Sequence, residues 1–302
     1  MIVDISLIIP TFNRKEALHR TIESISTQEC QPEEIFIIDA SVPFIPENDS
    51  LKQLFPDLKS NILHLPARQK GSAKQRNQGI ELAKNGIIGF VDDDIILEPK
   101  CIENLYRGLI DNGRCGGINA TISNQSFHPL GTLSKLVYWA MGINTAQFLP
   151  GKCVGPIITF LPASAQDSDI VQVDWLNTTC TLYRREALPS PVFDEHFTGY
   201  SLMEDLALSL RVGKKWTLLN SQHAVIYHNS QPGDEKNNLL IMAEMDLVNR
   251  YYIMKYILHR SSFKHKLQLL LQQVFSGIAT KHIFKSKYWK AKMNAIQKIR
   301  SF

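Results

Sequence analysis

Cysteine is scarce in this sequence, and what there is does not pair. Cys30, Cys101, Cys115, Cys153 and Cys180 are odd in number, and no two stand in a C-x-x-C spacing. That argues against a disulfide framework or a zinc site, and for a reducing compartment. No apolar run reaches the length a helix needs to cross a bilayer. The first ten residues lack the basic start and small-residue cleavage site of a secretory signal. The expected location is cytoplasmic, with peripheral contact to the inner membrane face left open. Charge is nearly balanced: 33 Lys and Arg against 29 Asp and Glu give +4. Nucleic acid is therefore not an expected partner. No G-x-G-x-x-G follows the first apolar run, and no G-x-x-x-x-G-K-S/T occurs. A dinucleotide dehydrogenase and a P-loop enzyme are both disfavoured.

What is present is a chain of 302 residues with 44% hydrophobic content, enough for a large core. The β-branched run 3–9 predicts a buried strand closed by Pro10. Asn13, with Glu16 three residues on, predicts a capped helix start. Runs at 35–38, 61–65 and 86–91 predict further strands. Gly71 and Ser72 open a helix to about residue 84, with Gln75 placed to complete the cap. A helix at 98–111 and a strand at 115–122 follow. The stretch 127–165 reads as a short apolar helix at 131–141 and then a long loop. Strands are expected at 171–175, 178–183, 216–219 and 222–228, and a helix at 203–213. From 234 onward the pattern is helical. This order predicts an α/β fold: a doubly wound, Rossmann-like, mostly parallel sheet flanked by helices, with a helical C-terminal extension. The expected division is 1–232 for the sheet domain and 233–302 for the basic extension. In such sheets ligands sit beyond the carboxyl ends of the strands. Pro10–Arg14, Asp39–Ser41 and Asp92–Asp94 all fall there.

Asp92, Asp93 and Asp94 end the run IIGFV. Three adjacent acids repel one another unless a cation or hydrogen-bond donors offset them. Such carboxylates suit Mg²⁺ or Mn²⁺ shared with phosphate oxygens; an isolated solvated acidic turn reads the same way locally. Glu204 and Asp205 open a helix, where acids complement the dipole or supply a general base. Gly71 to Asn77 carries Lys74 and Arg76, a helix start suited to an anion or an ordinary exposed cationic face. His223 and His228 flank AVIY, and His228 is the better placed to reach a site beyond the strand end.

The ordered pieces LIIPTFNR (7–14), IIDAS (37–41), GSAKQRNQGIELA (71–83), IIGFVDDD (87–94), TLYRREAL (181–188) and FDEHFTGYSLMEDLALSLR (193–211) resemble the inverting family 2 glycosyltransferases of GT-A fold. The resemblance covers roughly residues 3–230. It implies a nucleotide-diphosphate sugar donor, UDP- or dTDP-linked, and a carbohydrate or lipid-linked acceptor. Pro10, Thr11, Arg14, Asp39, Arg76, Asp92 and Asp93 would hold the nucleotide sugar, with Lys74 a weaker candidate. Asp94 and His228 would ligate the divalent metal, Mn²⁺ or Mg²⁺. Asp205 would be the catalytic base, with Glu204 beside it handling hydroxyls and Arg211 supporting carboxylates or phosphates. Two positions depart from the pattern: IIDAS lacks a doubled acid, and Ala207 stands where an acid is common. An inactive scaffold subunit and a sugar nucleotidyltransferase are the competing readings. The intact DDD and ED pairs weigh against the first, and PTFNR is not the Gly-rich loop the second wants.

The tail carries Lys264, Lys266, Lys281, Lys285, Lys287 and Lys290 among aromatic residues. That composition suits an anionic membrane surface and equally a solvated helix face.

Overall fold

The computed structural model describes residues 1–125, 127–162, 168–231 and 237–302. In chain order the elements are β1 Ile2–Thr11, α1 Lys15–Ser26, β2 Gln31–Asp39, α2 Asn48–Leu54, β3 Asn61–Pro66, α3 Ser72–Leu82, β4 Ile87–Val91, β5 Ile95–Leu97, α4 Cys101–Ile110 and β6 Cys115–Ile122. Next come α5 Thr132–Ala140 and a hairpin of β7 Cys153–Val154 and β8 Ile158–Thr159. Then follow β9 Ile170–Val173, β10 Cys180–Arg184, α6 Glu204–Val212 and β11 Thr217–His228. Helices α7 Leu239–Tyr252, α8 Phe263–Ala279 and α9 Ser286–Arg300 end the chain.

Nine strands form one sheet in the order β3-β2-β1-β4-β10-β6-β11-β5, with β9 paired to β11. Strands β1, β2, β3, β4, β6 and β11 run one way. Strands β5, β9 and β10 oppose them. The mostly parallel α/β sheet is the one the alternating pattern predicts. Parallel strands covered on both faces need apolar residues at successive positions, and β1 supplies them: Ile5, Leu7, Ile8 and Ile9 are buried. Leu18, Ile22 and Ile25 of α1 close over the same core.

Two units are distinguishable. One takes in Met1–Ser126 and Pro162–Gln231 and holds the sheet; the other takes in Phe127–Leu161 and Pro232–Phe302. The expected loop at 143–161 contains a short 3-10 turn and the β7–β8 hairpin. Residues 163–165 of that loop, and the expected boundary at 232/233, lie outside the described residues.

Some local readings need correction. Asn13 does not cap α1: it takes φ +53°, and the helix starts at Lys15 with no side-chain cap. Asn tolerates the left-handed region, and the turn lets the Asn13 N–H donate to Ser41 Oγ at 2.7 Å. Strand β11 is continuous where two strands were expected, because a register shift between Ser221 and Val225 absorbs the irregularity. Helix α2 carries too few apolar residues, and the apolar strand β5 too few residues of any kind, for the periodicity to reveal them.

Strand β6 is held close to its neighbours by glycine. A Cβ on Gly117 would lie 2.6 Å from two ring atoms of Tyr183, a fully buried side chain that would have to shift. Gly117→Ala is expected to cost about 1–3 kcal/mol by overpacking. Urea unfolding should show a lower midpoint at unchanged slope; a midpoint equal to wild type would mean that the ring can move aside.

Candidate active site

The carboxyl edge of the sheet gathers the polar residues. β1 ends at Pro10 and Thr11, and Thr11 lies opposite Asp39 at the end of β2. Asp39 Oδ1 accepts from the Ser41 N–H at 2.8 Å and from its hydroxyl at 2.5 Å. Its Oδ2 lies 3.1 Å from His64 Nε2. Burial works to raise the Asp39 pKa, but the bonds from His64 and Ser41 outweigh it and hold the carboxyl below its usual value. Sequence reasoning missed His64. The available signal was its phase in β3, where it shares the inward face with Ile62.

Asp92, Asp93 and Asp94 follow β4 directly and face different partners. Thr11 Oγ1 donates to Asp93 Oδ2 at 2.7 Å, and Arg14 Nη1 to Asp93 Oδ1 at 3.1 Å. Burial still lifts the Asp93 carboxyl to about 6, with the charges of Asp94 and Asp92 adding to it. Asp94 behaves oppositely. Burial is outweighed by His228, the Gln231 N–H and Arg14, so its pKa is lowered. His228 Nε2 stands 3.2 Å from Asp94 Oδ1, and the Gln231 N–H donates to Asp94 Oδ2 at 3.0 Å. The register explains the meeting: β11 pairs antiparallel with β5, setting His228 opposite Ile95, the residue after Asp94. Asp92, Asp94 and His228 each offer one ligand atom, and these atoms lie within 4.8 Å of one another. Two carboxylates and an imidazole so spaced form a donor set able to hold a metal ion.

The third group centres on Arg76, from the first turns of α3. Its Nη2 donates to Asp92 Oδ1 and its Nη1 to Glu204 Oε1, both at 2.7 Å. The side chain is 3% exposed and lies over the Phe193 ring at 5.6 Å. Helix α3 begins where the Gly71 N–H donates to Gln75 Oε1 at 3.3 Å, the expected cap. Gly71 takes φ +132° and bridges to Gly199, which draws the loop before α6 against α3. Glu204 and Asp205 then open α6, and the Leu206 N–H bonds to Asp205 Oδ1 at 2.7 Å. One guanidinium therefore serves a cluster of three carboxylates. Burial raises Glu204, Arg76 opposes, and the Asp205 charge raises it further. Burial lifts Asp205 to about 6 against the Leu206 N–H and Arg76, with Asp92 adding to the rise. Glu204 is buried, whereas Asp205 keeps partial contact with solvent. Burial and the charges of Asp92, Glu204, Asp205 and Asp94 also raise the phenol of Tyr200, a neighbour the motif left unassigned. Arg211 Nη1 donates to the Val192 carbonyl at 3.1 Å.

The family model described as glycosyl transferase family 2 matches residues 6–164, just over half of the chain. The chain belongs to this family. An uncharacterized glycosyltransferase of Bacillus subtilis, YwdF, is 36% identical over 106 residues, which is 35% of this chain and 38% of that protein. This match spans well under half of the relative's length. Solved structures share the GT-A fold. TarS 1–349 of S. aureus in complex with UDP-GlcNAc superposes with a TM-score of 0.60 at 15% identity, covering 98% of this chain and 81% of that one. The mannosyltransferase PcManGT from Pyrobaculum calidifontis, in complex with GDP-Man and Mn2+, gives 0.53 at 14% identity, covering 99% and 81%.

Arg76→Met would leave Asp92 and Glu204 without the cation they share. Asp92 is 27% exposed, so the expected loss lies at the low end for a broken buried pair, about 3 kcal/mol. It should also depend on pH. Without the guanidinium both carboxyls have folded pKa values raised above the unfolded ones, so protonation favours the folded form. The loss is then larger at pH 8 than at pH 5 in urea titrations. Equal losses at both pH values would show that Arg76 does not carry the charge balance.

Proposed function

We propose that this chain is an inverting, metal-dependent glycosyltransferase that moves a sugar from a UDP- or dTDP-linked donor to a hydroxyl of a carbohydrate or lipid-linked acceptor. The observation that carries the reading is the meeting of Asp92, Asp94 and His228 at the carboxyl edge of the sheet, with Asp205 in the same charge cluster. The solved relative holding UDP-GlcNAc supports a uridine donor. Assembly of a cell-surface polysaccharide or glycolipid is the setting we assign.

In this reading Asp39 accepts from the nucleobase through lone pairs left beside its Ser41 and His64 bonds. Pro10 and Thr11 shape the nucleotide cleft, and Thr11 fixes Asp93. Arg14, already at Asp93 and Asp94, presents positive charge to the diphosphate. Arg76 positions Asp92 and Glu204 rather than binding freely. Asp92, Asp94 and His228 hold the Mn²⁺ or Mg²⁺ ion, which when bound offsets charge on the leaving diphosphate.

Asp205 takes the proton from the acceptor hydroxyl. That oxygen forms the new bond to the anomeric carbon as the bond to the diphosphate oxygen breaks on the opposite face. The nucleoside diphosphate leaves with the bonding electrons, and one displacement inverts the centre. Glu204 is less suited to this role, because it is buried and tied to Arg76.

Two experiments test this reading. Thermal shifts with UDP, dTDP, GDP and CDP, with and without Mn²⁺ or Mg²⁺, should single out one nucleotide whose stabilisation needs the metal, since a ligand of the folded state raises its stability by mass action. Asp94→Ala should abolish that shift; an unchanged shift refutes the ligand assignment, and no shift with any nucleotide favours a scaffold. Asp205→Asn should keep donor binding and lose transfer by about a hundredfold or more. Wild-type transfer should fall as pH drops through about 6, where the Asp205 carboxylate gains its proton. Near-normal transfer by the variant removes Asp205 as the base.

A further inference from the structure

In the second unit, which has its own apolar clusters, helix α8 carries an inverted polarity. On α8, Phe263, Leu267, Leu270, Leu271 and Ile278 are exposed, Phe263 at 81% and Leu270 at 54%. At about 100° per residue they share one stripe of the helix. The opposite face is buried and carries Gln268, Gln272 and Gln273. Those glutamines are satisfied inside: Gln268 Nε2 donates to the Met141 and Gly142 carbonyls at 3.0 and 3.2 Å, and Gln273 Nε2 to Asp246 Oδ2 at 2.8 Å. A helix that buries amide groups and exposes leucine is not arranged for water on its outer side.

Its two neighbours repeat the pattern. Helix α5 packs on α8 through Tyr138 against Phe275, ring centroids 5.3 Å apart. The other side of α5 exposes Leu133, Leu136 and Trp139, at 72%, 58% and 67%. Helix α9 meets α8 where Tyr288 donates to the Gln273 carbonyl at 2.8 Å, and it exposes Trp289, Met293 and Ile296 at i, i+4 and i+7. On the α8 wheel the α5 contacts (Gln268, Phe275) and the α9 contacts (Gln273, Gly277) fall on opposite flanks of the leucine stripe. Of 25 exposed large hydrophobic residues among the described ones, 15 lie in this unit, so the apolar surface is concentrated rather than scattered.

Charge identifies what covers it. Residues 247–302 hold 12 of the chain's 33 Lys and Arg and none of its 29 Asp and Glu. The remainder, with 21 bases and 29 acids, is net −8, so the near-neutral total conceals a strongly cationic end. Segment 127–161 also has no acid. Lys135, Lys264, Lys266, Lys285, Lys287 and Lys290 are exposed on or beside the three helices. Arg250, Lys292 and Lys298 meet Asp246 and Glu244 of α7, but the exposed lysines keep a positive excess that a second copy would set against itself. Among the described residues no helix is long and apolar enough to cross a membrane. Exposed leucines, interfacial Trp and Phe and a lysine rim together match the headgroup layer of an anionic bilayer.

We propose that α5, α8 and α9 form a monotopic docking face that seats this protein on an anionic lipid surface, the apolar stripe entering the headgroup region and the lysines pairing with lipid phosphates. This proposal is independent of the catalytic reading. Full-length protein is floated with vesicles of phosphatidylcholine alone and of phosphatidylcholine with one quarter phosphatidylglycerol. Binding is expected to the anionic vesicles, roughly tenfold or more above the neutral ones, weakening with salt and accompanied by a blue shift of tryptophan emission. The double variant Leu270→Glu, Ile278→Glu changes two exposed positions, so the fold should persist, checked by an unaltered melting profile. It should lose binding by about tenfold or more. Lys264→Glu with Lys287→Glu should lose the anionic preference. Wild type that stays unbound at low salt overturns the proposal, as does undiminished binding by the leucine variant. A wild-type dimer that the leucine variant dissociates, without vesicle binding, assigns the face to a second copy instead.

Discussion

The Arg76 guanidinium is the constraint on which the site depends. It is the buried cation of α3 that bonds both the acid following β4 and the acid opening α6. Asp92 belongs to the sheet edge, whereas Glu204 lies 128 positions beyond Arg76, past β10. Each carboxylate would resist burial alone, because taking an ion out of water costs more than a lone partner in water returns. Together they justify one buried cation, and that cation fixes where α6 begins. Asp205, the next residue, is then placed near Asp92 and is less enclosed than Glu204. The residue proposed as the base is thus set by the residue beside it, which is tied down.

The same economy governs the acids after β4. Three consecutive carboxylates still repel one another, and each offsets that repulsion with its own set of donors. Asp92 turns to Arg76, Asp93 to Thr11 and Arg14, and Asp94 to His228 and the Gln231 N–H. Their pKa shifts diverge accordingly: the middle one rises to about 6 while the last is lowered. Asp94 therefore stays ionised without a metal, and in that form it is ready to take one. The Asp93 carboxyl accepts from the Thr11 hydroxyl and the Arg14 guanidinium and so ties the two ends of the Thr11–Arg14 turn.

Much of this was legible in the chain. Buried strands announce themselves by β-branched runs, and each run that ended in a polar cluster marked the carboxyl edge correctly. The Gly71–Gln75 cap could be read because both partners lie within one helical turn. What could not be read depends on long-range meetings. Nothing local says that Glu204 closes on Arg76 or that His64 stands behind Asp39. His228 could be placed near a strand end, but its contact with Asp94 required the β11–β5 register. Asn13 failed as a cap for the opposite reason: a local preference for capping lost to an equally local tolerance of positive φ, with Ser41 across the loop deciding between them.

The charge distribution shows why an average can mislead. A net +4 excludes little by itself, and it is a sum of two unlike parts. The portion that includes the sheet is acidic, as suits a protein that gathers carboxylates at one edge, and would by itself repel a membrane of the same sign. The last 56 residues carry no acid at all. Lys292 and Lys298 pair with Asp246 and Glu244 of α7, but Lys264, Lys266, Lys285, Lys287 and Lys290 are exposed in a segment that holds no acid. Only Leu269 among the leucines of α8 is buried, beside three glutamines, so the core does not explain the exposed Leu267, Leu270 and Leu271. A helix under selection only to be soluble would exchange those two sets of residues. Keeping both inversions at once is favourable only where the outer surface is apolar and negatively charged, and a lipid headgroup layer supplies both within a few ångströms of depth.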